Sequence, residues 1–484
     1  MVTQSTQKAV PAPTHWRLAK GDRVAFIVDG EEYFRAVRAA MLLARKRIIM
    51  IGWDFDTRIV LPRADKDDEE APVVLGDLIL WLVKRTPDLQ IYLLRWDYGA
   101  FKAAFRGTTP FTVLRWAVDS NIHVKLDGKH PPGASHHQKI LSIDDDMAFC
   151  GGIDMTGGRW DTRDHADTEP RRDLPKGKPH PPWHDASMAM QGPAARTLSD
   201  LARDRWKVAT GTRLPPIVGA ASCWPAHLKT QFENVEIAVS RTRPRYTGVT
   251  ARHEIEALYV ETIARAKHHI YAESQYFASR KVAEAIARRL TEPDGPEIVL
   301  INPLEADGWL AQKAMDTARA RLYETLRRLD KRGRFRIYHP YTKGGTPIYV
   351  HAKIMIIDDV IFRVGSSNLN NRSMRLDSEC DVWIDASRPA NTSASKMIAQ
   401  IRTGLLAEHL GCKDDQVRAI FDKTGSLITT IETLRGSGRT LRPYEIDDLS
   451  GVEKFLADNQ MLDPEGPEPM FELMSGRKLL QGLR

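Results

Sequence analysis

Apolar residues recur along this chain in two alternating rhythms. A helical spacing over Tyr33–Arg45 gives way to a short, almost continuous apolar run, Arg47–Trp53, of the kind a buried strand requires. The same alternation continues. A helix is predicted over Leu75–Lys84 before a strand at Gln90–Leu94, and another over Phe111–Ala117 before a strand at His123–Leu126. Beyond residue 250 the whole series repeats. Helix His253–Ala266 leads to strand His269–Gln275, helix Lys281–Leu290 to strand Glu297–Ile301, and helix Gln312–Leu329 to strand Arg334–Tyr338. Strands alternating with helices predict an α/β layered architecture. One series met twice predicts a duplicated unit.

Each series ends in nearly the same string. The first reads His137-Gln-Lys139-Ile-Leu-Ser-Ile-Asp144, then Gly151-Gly152-Ile-Asp154. The second reads His351-Ala-Lys353-Ile-Met-Ile-Ile-Asp358, then Gly365-Ser366-Ser-Asn368. In both, Lys follows His by two, Asp follows Lys by five and Gly follows Asp by seven. The expected organisation is a tail, 1–14, and two similar α/β lobes with mixed sheets flanked by helices, 15–225 and 235–400. The Pro-rich stretch Arg213–Trp224 is the expected junction, and the active site is expected at the lobe interface. Residues 401–484 have no counterpart in the first half. Their helical patches (Met397–His409, Gln416–Asp422, Leu427–Leu434) and the acidic Pro/Gly segment Asp463–Pro469 read as an extension packed on the second lobe.

The doubled string carries the candidate chemistry. In a strand, residues two apart share a face, so His and Lys of each copy are expected to project together. Ammonium groups supply charge and hydrogen bonds to a phosphate. A histidine near neutral pH serves as nucleophile or as general acid/base. Two histidines on opposite sides of one phosphorus divide those roles: one attacks in line and the other protonates the departing oxygen. Asn368 and Ser366, after a glycine, offer donors to the phosphoryl oxygens. The lysines supply the positive charge, so this chemistry needs no metal and no cofactor. Near symmetry of the copies leaves open which histidine attacks. Asp144 and Asp358 fall at the strand ends and read as structural.

Composition narrows the setting. Among 484 residues, 42% are hydrophobic and 27% charged, which excludes a disordered or fibrous chain. The net charge of +7 favours anionic ligands or surfaces, but nucleic-acid binding of a non-specific kind usually needs a stronger basic surface. Cys150, Cys223, Cys380 and Cys412 are scattered and form no CxxC pair, which argues against a cysteine metal site or a disulfide framework. His130, His136, His165, His180 and His184 enrich the first half in histidine. Their spacing matches no compact ligand set, and they read as loop or supporting residues, with Arg159–Pro182 as a long surface loop. Met1–His15 lacks the apolar core of a signal peptide, and no apolar run approaches membrane-spanning length. A cytoplasmic location with contact at a membrane surface is therefore the expectation.

Both strings match the HxKxxxxD motif of the phospholipase D superfamily, together with its trailing G-G/S-x-N/D element. Further segments resemble true phospholipases D of the eukaryotic type: Gly52-Trp53-Asp54-Phe55-Asp56, Gly158-Arg159-Trp-Asp161, Pro182-Trp183-His184-Asp185, Glu273-Ser-Gln275-Tyr-Phe277 and Asn371-Arg372-Ser373-Met374 before Asp377-Ser378-Glu379. The resemblance covers about residues 20–400 and implies roles at matching positions. His137 would be the nucleophile that forms a covalent phosphohistidine. His351 would protonate the leaving alcohol and then activate water or an acceptor alcohol. Lys139, Lys353 and Asn368 would hold the phosphate. Asp185 would orient His137, and Glu379 (or Asp377) would orient His351. Asp154 stands where the second copy has Asn368. An acid there repels phosphate, so Asp154 is expected to pair with Arg159 or a lysine.

The leading expectation is a phospholipase D that cleaves the distal phosphodiester of a glycerophospholipid at a membrane surface. It would release phosphatidic acid and the headgroup alcohol, or transfer the phosphatidyl group to another alcohol. A cardiolipin synthase-like transferase and a nucleic-acid phosphodiesterase are the competing readings. Two motifs in one chain complete the site without a second subunit.

Overall fold

The computed structural model describes residues 13–445, apart from 65–68, 98–111, 113–114, 117, 176 and 306–308. Most of the expected helix Phe111–Ala117 and all of Asp463–Pro469 lie outside the described residues.

One mixed sheet runs through the molecule. The first half supplies β1 (Arg17–Val28), β2 (Arg47–Gly52), β3 (Gln90–Trp96), β4 (Ile122–Asp127), β5 (Ile140–Ile143), β6 (Met147–Gly151) and β7 (Ala186–Gln191). The second supplies β8 (Phe232–Arg243), β9 (His269–Glu273), β10 (Glu297–Ile301), β11 (Phe335–Tyr341), β12 (Ile354–Ile357), β13 (Ile361–Gly365) and β14 (Glu379–Asp385), with β15 (Thr440–Pro443) added from the C-terminal side. Their order is β4-β3-β2-β5-β6-β7-β1-β8-β14-β13-β12-β9-β10-β11-β15. Read outward from the β1/β8 pair, the two halves repeat each other strand for strand. The sets β2-β3-β4 and β9-β10-β11 are parallel, the strands inward of them are antiparallel, and β15 adds antiparallel to β11 at the edge of the second half. The lobes therefore share a single sheet instead of carrying separate ones. The seam is the long antiparallel β1/β8 pair, from Arg17 opposite Val239 to Val24 opposite Phe232.

Helices cover both faces, which is why the strands read as unbroken apolar runs. On one face α1 (Asp29–Leu43) and α2 (Leu75–Arg85) bury Phe34, Val37, Leu78 and Leu82 against the first half. On the second half α4 (Glu254–Arg265), α5 (Arg280–Thr291) and α6 (Trp309–Leu329) do the same with Ile255, Leu258, Ile286 and Leu326. The opposite face carries one core that spans both halves, closed by α3 (Pro193–Thr210) and α7 (Ala394–Leu410). The helices α8 (Asp414–Thr424) and α9 (Leu427–Leu434) pack beside α7 through Val417, Leu427 and Ile431. The expected boundary at residue 400 falls inside α7. That helix is the counterpart of α3: Arg203 of α3 pairs with Asp145, and Arg402 of α7 pairs with Asp359 at 2.7 Å.

The turn after each motif strand is built from two acids. Asp144 and Asp145 have φ of 51° and 54°, and Asp358 and Asp359 have 53° and 54°, the left-handed region that Asp tolerates. The Asp144 carboxylate accepts the backbone N–H groups of Arg45, Lys46 and Arg47 at 2.7, 2.8 and 2.6 Å. Asp358 accepts those of Lys267, His268 and His269 at 2.6, 2.8 and 2.8 Å. Each motif aspartate thus fastens the start of the neighbouring strand, β2 or β9, to the hairpin.

Candidate active site

The motif histidines and lysines stand just ahead of β5 and β12, in extended segments outside the ladder. The expectation that His and Lys alternate along a strand is corrected accordingly. These segments pair with the other half of the molecule instead. His137 N–H donates to the Ser378 carbonyl at 2.9 Å, and Ser378 N–H to the Ser135 carbonyl at 2.9 Å. His351 N–H donates to the His184 carbonyl at 2.7 Å, and Tyr349–Val350 runs parallel to Trp183–His184. A backbone exchange between halves places each motif against the segment that follows the other motif.

That exchange decides the carboxylate partners. His137 Nδ1 lies 3.0 and 3.1 Å from the two oxygens of Glu379. His351 Nδ1 lies 2.7 Å from Asp185 Oδ2. The pairing is the reverse of the expected one, Asp185 with His137 and Glu379 with His351. Linear order pairs each histidine with the next acid in its own half; the exchange between halves crosses them. Asp377, the expected alternative to Glu379, accepts Ser135 N–H at 2.7 Å and pairs with Arg372. In both pairs a carboxylate takes Nδ1–H, which fixes the tautomer and leaves Nε2 free to react.

Ser366 is also relocated. Its hydroxyl donates to Glu379 and accepts Cys380 N–H at 3.0 Å, and Ser373 Oγ donates to Glu379 at 2.7 Å. Ser366 and Ser373 thus hold the carboxylate that holds His137, so Ser366 has no free hydroxyl for a phosphate. Asn368 remains a candidate donor. It is buried, its Nδ2 lies 3.4 Å from Gln275 Oε1, and its Oδ1 has no hydrogen-bond partner. Lys139 and Lys353 each bend back so that Nζ donates to the carbonyl of the histidine two residues earlier, at 2.8 Å for Lys139. Asp154 pairs with Lys139 at 3.1 Å, whereas Asn368 at the equivalent position leaves Lys353 without that counter-ion.

Burial and this charge pattern set the proton affinities. Both histidines are held well below the usual imidazole range, first by burial and then by the neighbouring lysines, so both are neutral near pH 7. Burial lowers Lys353 to about 7 and raises Glu379 to about 8; it also raises Asp185. A phosphate anion arriving here would offset the lysine charges and make it easier for one imidazole to take up a proton.

Aromatic side chains wall the His351 side. Trp183 stacks on Tyr349 at 4.6 Å and lies 5.1 Å from the His351 ring, with the Arg159 guanidinium over the indole at 4.1 Å. Trp53 stacks on Trp96 at 5.8 Å, and Tyr276 packs with Ala278 and Met315. Arg159–Pro182 runs over the surface, as expected, but is pinned by side chains that point inward. Asp161, His165 and Arg172 are buried within it, and His136 and His184 are buried as well. Sequence reasoning gave no role to Ser373, Tyr349, Asp161 or Arg172, because nothing in their local spacing marks one, and it read His136, His165 and His184 as loop or supporting residues. Among the described residues no helix is long and apolar enough to cross a membrane.

A family model described as phospholipase D matches residues 40–285, and one described as cardiolipin synthase, PLD-like domain, matches residues 259–402. Phospholipase D A of Dictyostelium discoideum is 26% identical over 474 residues, covering 80% of this chain and 35% of that protein. Phospholipase D1 of Saccharomyces cerevisiae is 26% identical over 506 residues, covering 82% and 29%. Phospholipase D alpha 1 of Carica papaya is 23% identical over 517 residues, covering 78% and 63%. The chain thus spans between about a third and two thirds of these relatives. A solved phosphatidylserine synthase of Haemophilus influenzae Rd KW20 shares the fold at a TM-score of 0.52 and 13% identity, covering 88% of this chain and 96% of that one.

Proposed function

Because the chain belongs to the phospholipase D superfamily, we propose that it cleaves the distal phosphodiester of a glycerophospholipid through a covalent phosphohistidine. The observation that carries this reading is the crossed pair of Nδ1-anchored histidines, His137 on Glu379 and His351 on Asp185, set among two buried lysines.

His137 Nε2 attacks phosphorus and forms the N–P bond as the bond from phosphorus to the headgroup oxygen breaks. Glu379 balances the charge that develops on the His137 ring. The bound phosphate draws a second proton onto His351, which gives it from Nε2 to the departing alkoxide and then takes a proton back from water or an acceptor alcohol. That oxygen attacks phosphorus, the N–P bond breaks and His137 is regenerated neutral. Lys139, Lys353 and Asn368 bind the non-bridging oxygens. Water as acceptor yields phosphatidic acid and an alcohol yields a transfer product, so hydrolysis and transphosphatidylation differ only in what reaches the second step.

The test is product analysis by mass spectrometry from mixed phospholipid vesicles containing ethanol. Phosphatidic acid and phosphatidylethanol, both absent with His137→Ala, support the proposal, and the lipid consumed names the headgroup. Cleavage of single-stranded DNA without lipid turnover would keep the histidine chemistry and overturn the substrate.

A further inference from the structure

Behind the active site lies a second set of ionisable side chains that the reaction does not use. Asp29 opens α1, His165 points inward from the 159–182 segment, His184 precedes Asp185, and Glu408 sits in the last turn of α7. Asp29, His165 and His184 are wholly buried, and the Glu408 side chain is 3% exposed. Their donor atoms converge. His165 Nε2 lies 3.3 Å from Asp29 Oδ2 and 3.3 Å from Glu408 Oε1. His184 Nδ1 lies 3.2 Å from Asp29 Oδ1 and 3.1 Å from Glu408 Oε1. Yet His184 Nδ1 and Asp29 Oδ2 have no hydrogen-bond partner. One donor atom from each of the four residues lies within 4.8 Å of all the others.

We propose that Asp29, His165, His184 and Glu408 form a structural site for one divalent transition-metal ion of the zinc type. A tetrahedral ion with metal–ligand bonds of about 2.0–2.1 Å has ligand–ligand edges of about 3.3–3.4 Å, close to the four separations here. Two imidazoles and two carboxylates suit zinc, and the two negative charges neutralise the ion. The outer partners fit as well. The far nitrogen of each histidine faces a carboxylate: His165 Nδ1 at 3.0 Å from Asp161 Oδ2, and His184 Nε2 at 2.7 Å from Glu273 Oε2. Carboxylate–histidine–metal relays of this kind fix the tautomer of ligating imidazoles. Arg163 holds the other oxygen of Glu408 and orients Oε1 inward, while Arg439 Nη2 lies 3.6 Å from Oε1. Arg172 pairs with Asp161, and Glu273 also accepts from His409 and Tyr271.

The site would tie together segments that are distant in the sequence. It would also brace catalysis: Asp29 N–H donates to the Asp185 carbonyl at 2.8 Å, and Asp185 N–H to Asp29 Oδ1 at 2.9 Å. The sequence conceals it because the four ligands come from four separate stretches.

The test uses the full chain, produced in zinc-supplemented medium and desalted, with zinc per chain measured by plasma mass spectrometry. Close to one zinc per folded chain is expected, released on unfolding in guanidinium. Cobalt reconstitution should give the intense visible bands of a four-coordinate ion. H165Q together with E408Q should lower occupancy at least tenfold, while H409Q, outside the ligand set, keeps the metal. Folded wild-type protein that stays below a tenth of an equivalent after incubation with excess zinc overturns the site and leaves a closed ion-pair network with protonated histidines. Full occupancy retained in folded H165Q/E408Q overturns the ligand assignment.

Discussion

The His351 imidazole is buried and the His137 imidazole half-buried; both are neutral and anchored at Nδ1 by one carboxylate each. Removing either ring should lower turnover by about 10³-fold or more without unfolding the chain, measured as initial rates beside circular dichroism. Retention of more than a few per cent of activity in His137→Ala would remove it as sole nucleophile. The pH profile has a defined sign. Lys353, lowered to about 7, loses its charge as pH rises through that value, so kcat/KM should fall on the alkaline side from about pH 7. The acid limb, where His137 gains a proton, should lie below the ordinary histidine range. A bound phosphate favours charged Lys353, so the alkaline limb of kcat should move upward. Lys353→Arg, charged throughout, should abolish that limb while lowering the maximum rate. An unchanged limb in that variant would assign the titration to another group.

Among the elements, two glycines that follow the motif hairpins, at non-equivalent positions, are set by close approach. A Cβ on Gly152 would fall 2.0 Å from Asp185 Oδ1, and one on Gly365 would fall 1.9 Å from Asp381 Oδ1. Gly152→Ala should therefore displace Asp185, lowering kcat far more than it raises KM. Equal effects on both would point to general disorder of the site. The hairpin hook makes a separate claim about stability. Asp144→Ala strands three backbone N–H groups and should cost about 2–4 kcal/mol in urea unfolding, with the pH profile of the remaining activity unchanged. Strands β5 and β12 were legible because they are apolar but for Ser142. Strands β1 and β8, which join the halves, were not. Arg17-Leu-Ala-Lys-Gly-Asp-Arg23 reads as a polar loop, and only pairing with Ala238 and Val239 makes it a strand.

For the whole molecule, the exchange between halves makes the site a joint product. Each histidine takes its carboxylate from the opposite half, so Asp185→Asn should resemble loss of His351, not of His137. A phospholipid analogue with a nitrophenol headgroup needs no acid to leave. With it, His351→Ala and Asp185→Asn should accumulate the phosphohistidine, read by intact-protein mass, because the acceptor is no longer activated. His137→Ala and Glu379→Gln should form little of it. The reverse outcome, accumulation in Glu379→Gln but not in Asp185→Asn, would restore the uncrossed pairing.

The sequence by itself determined the α/β class, the duplication, and the two His-x-Lys pairs with their superfamily. Strand and helix periodicity and fixed short-range spacing are written locally. It also pointed to Asp144 and Asp358 as strand-end residues, since their place follows from the hairpin. Only the tertiary structure decided that Glu379 serves His137 and Asp185 serves His351, that Ser366 serves Glu379, that α7 belongs with the second half, and that four separate stretches meet at Asp29, His165, His184 and Glu408. Those outcomes depend on which segments pair across the two halves, and local spacing carries no information about pairing between residues more than 150 positions apart.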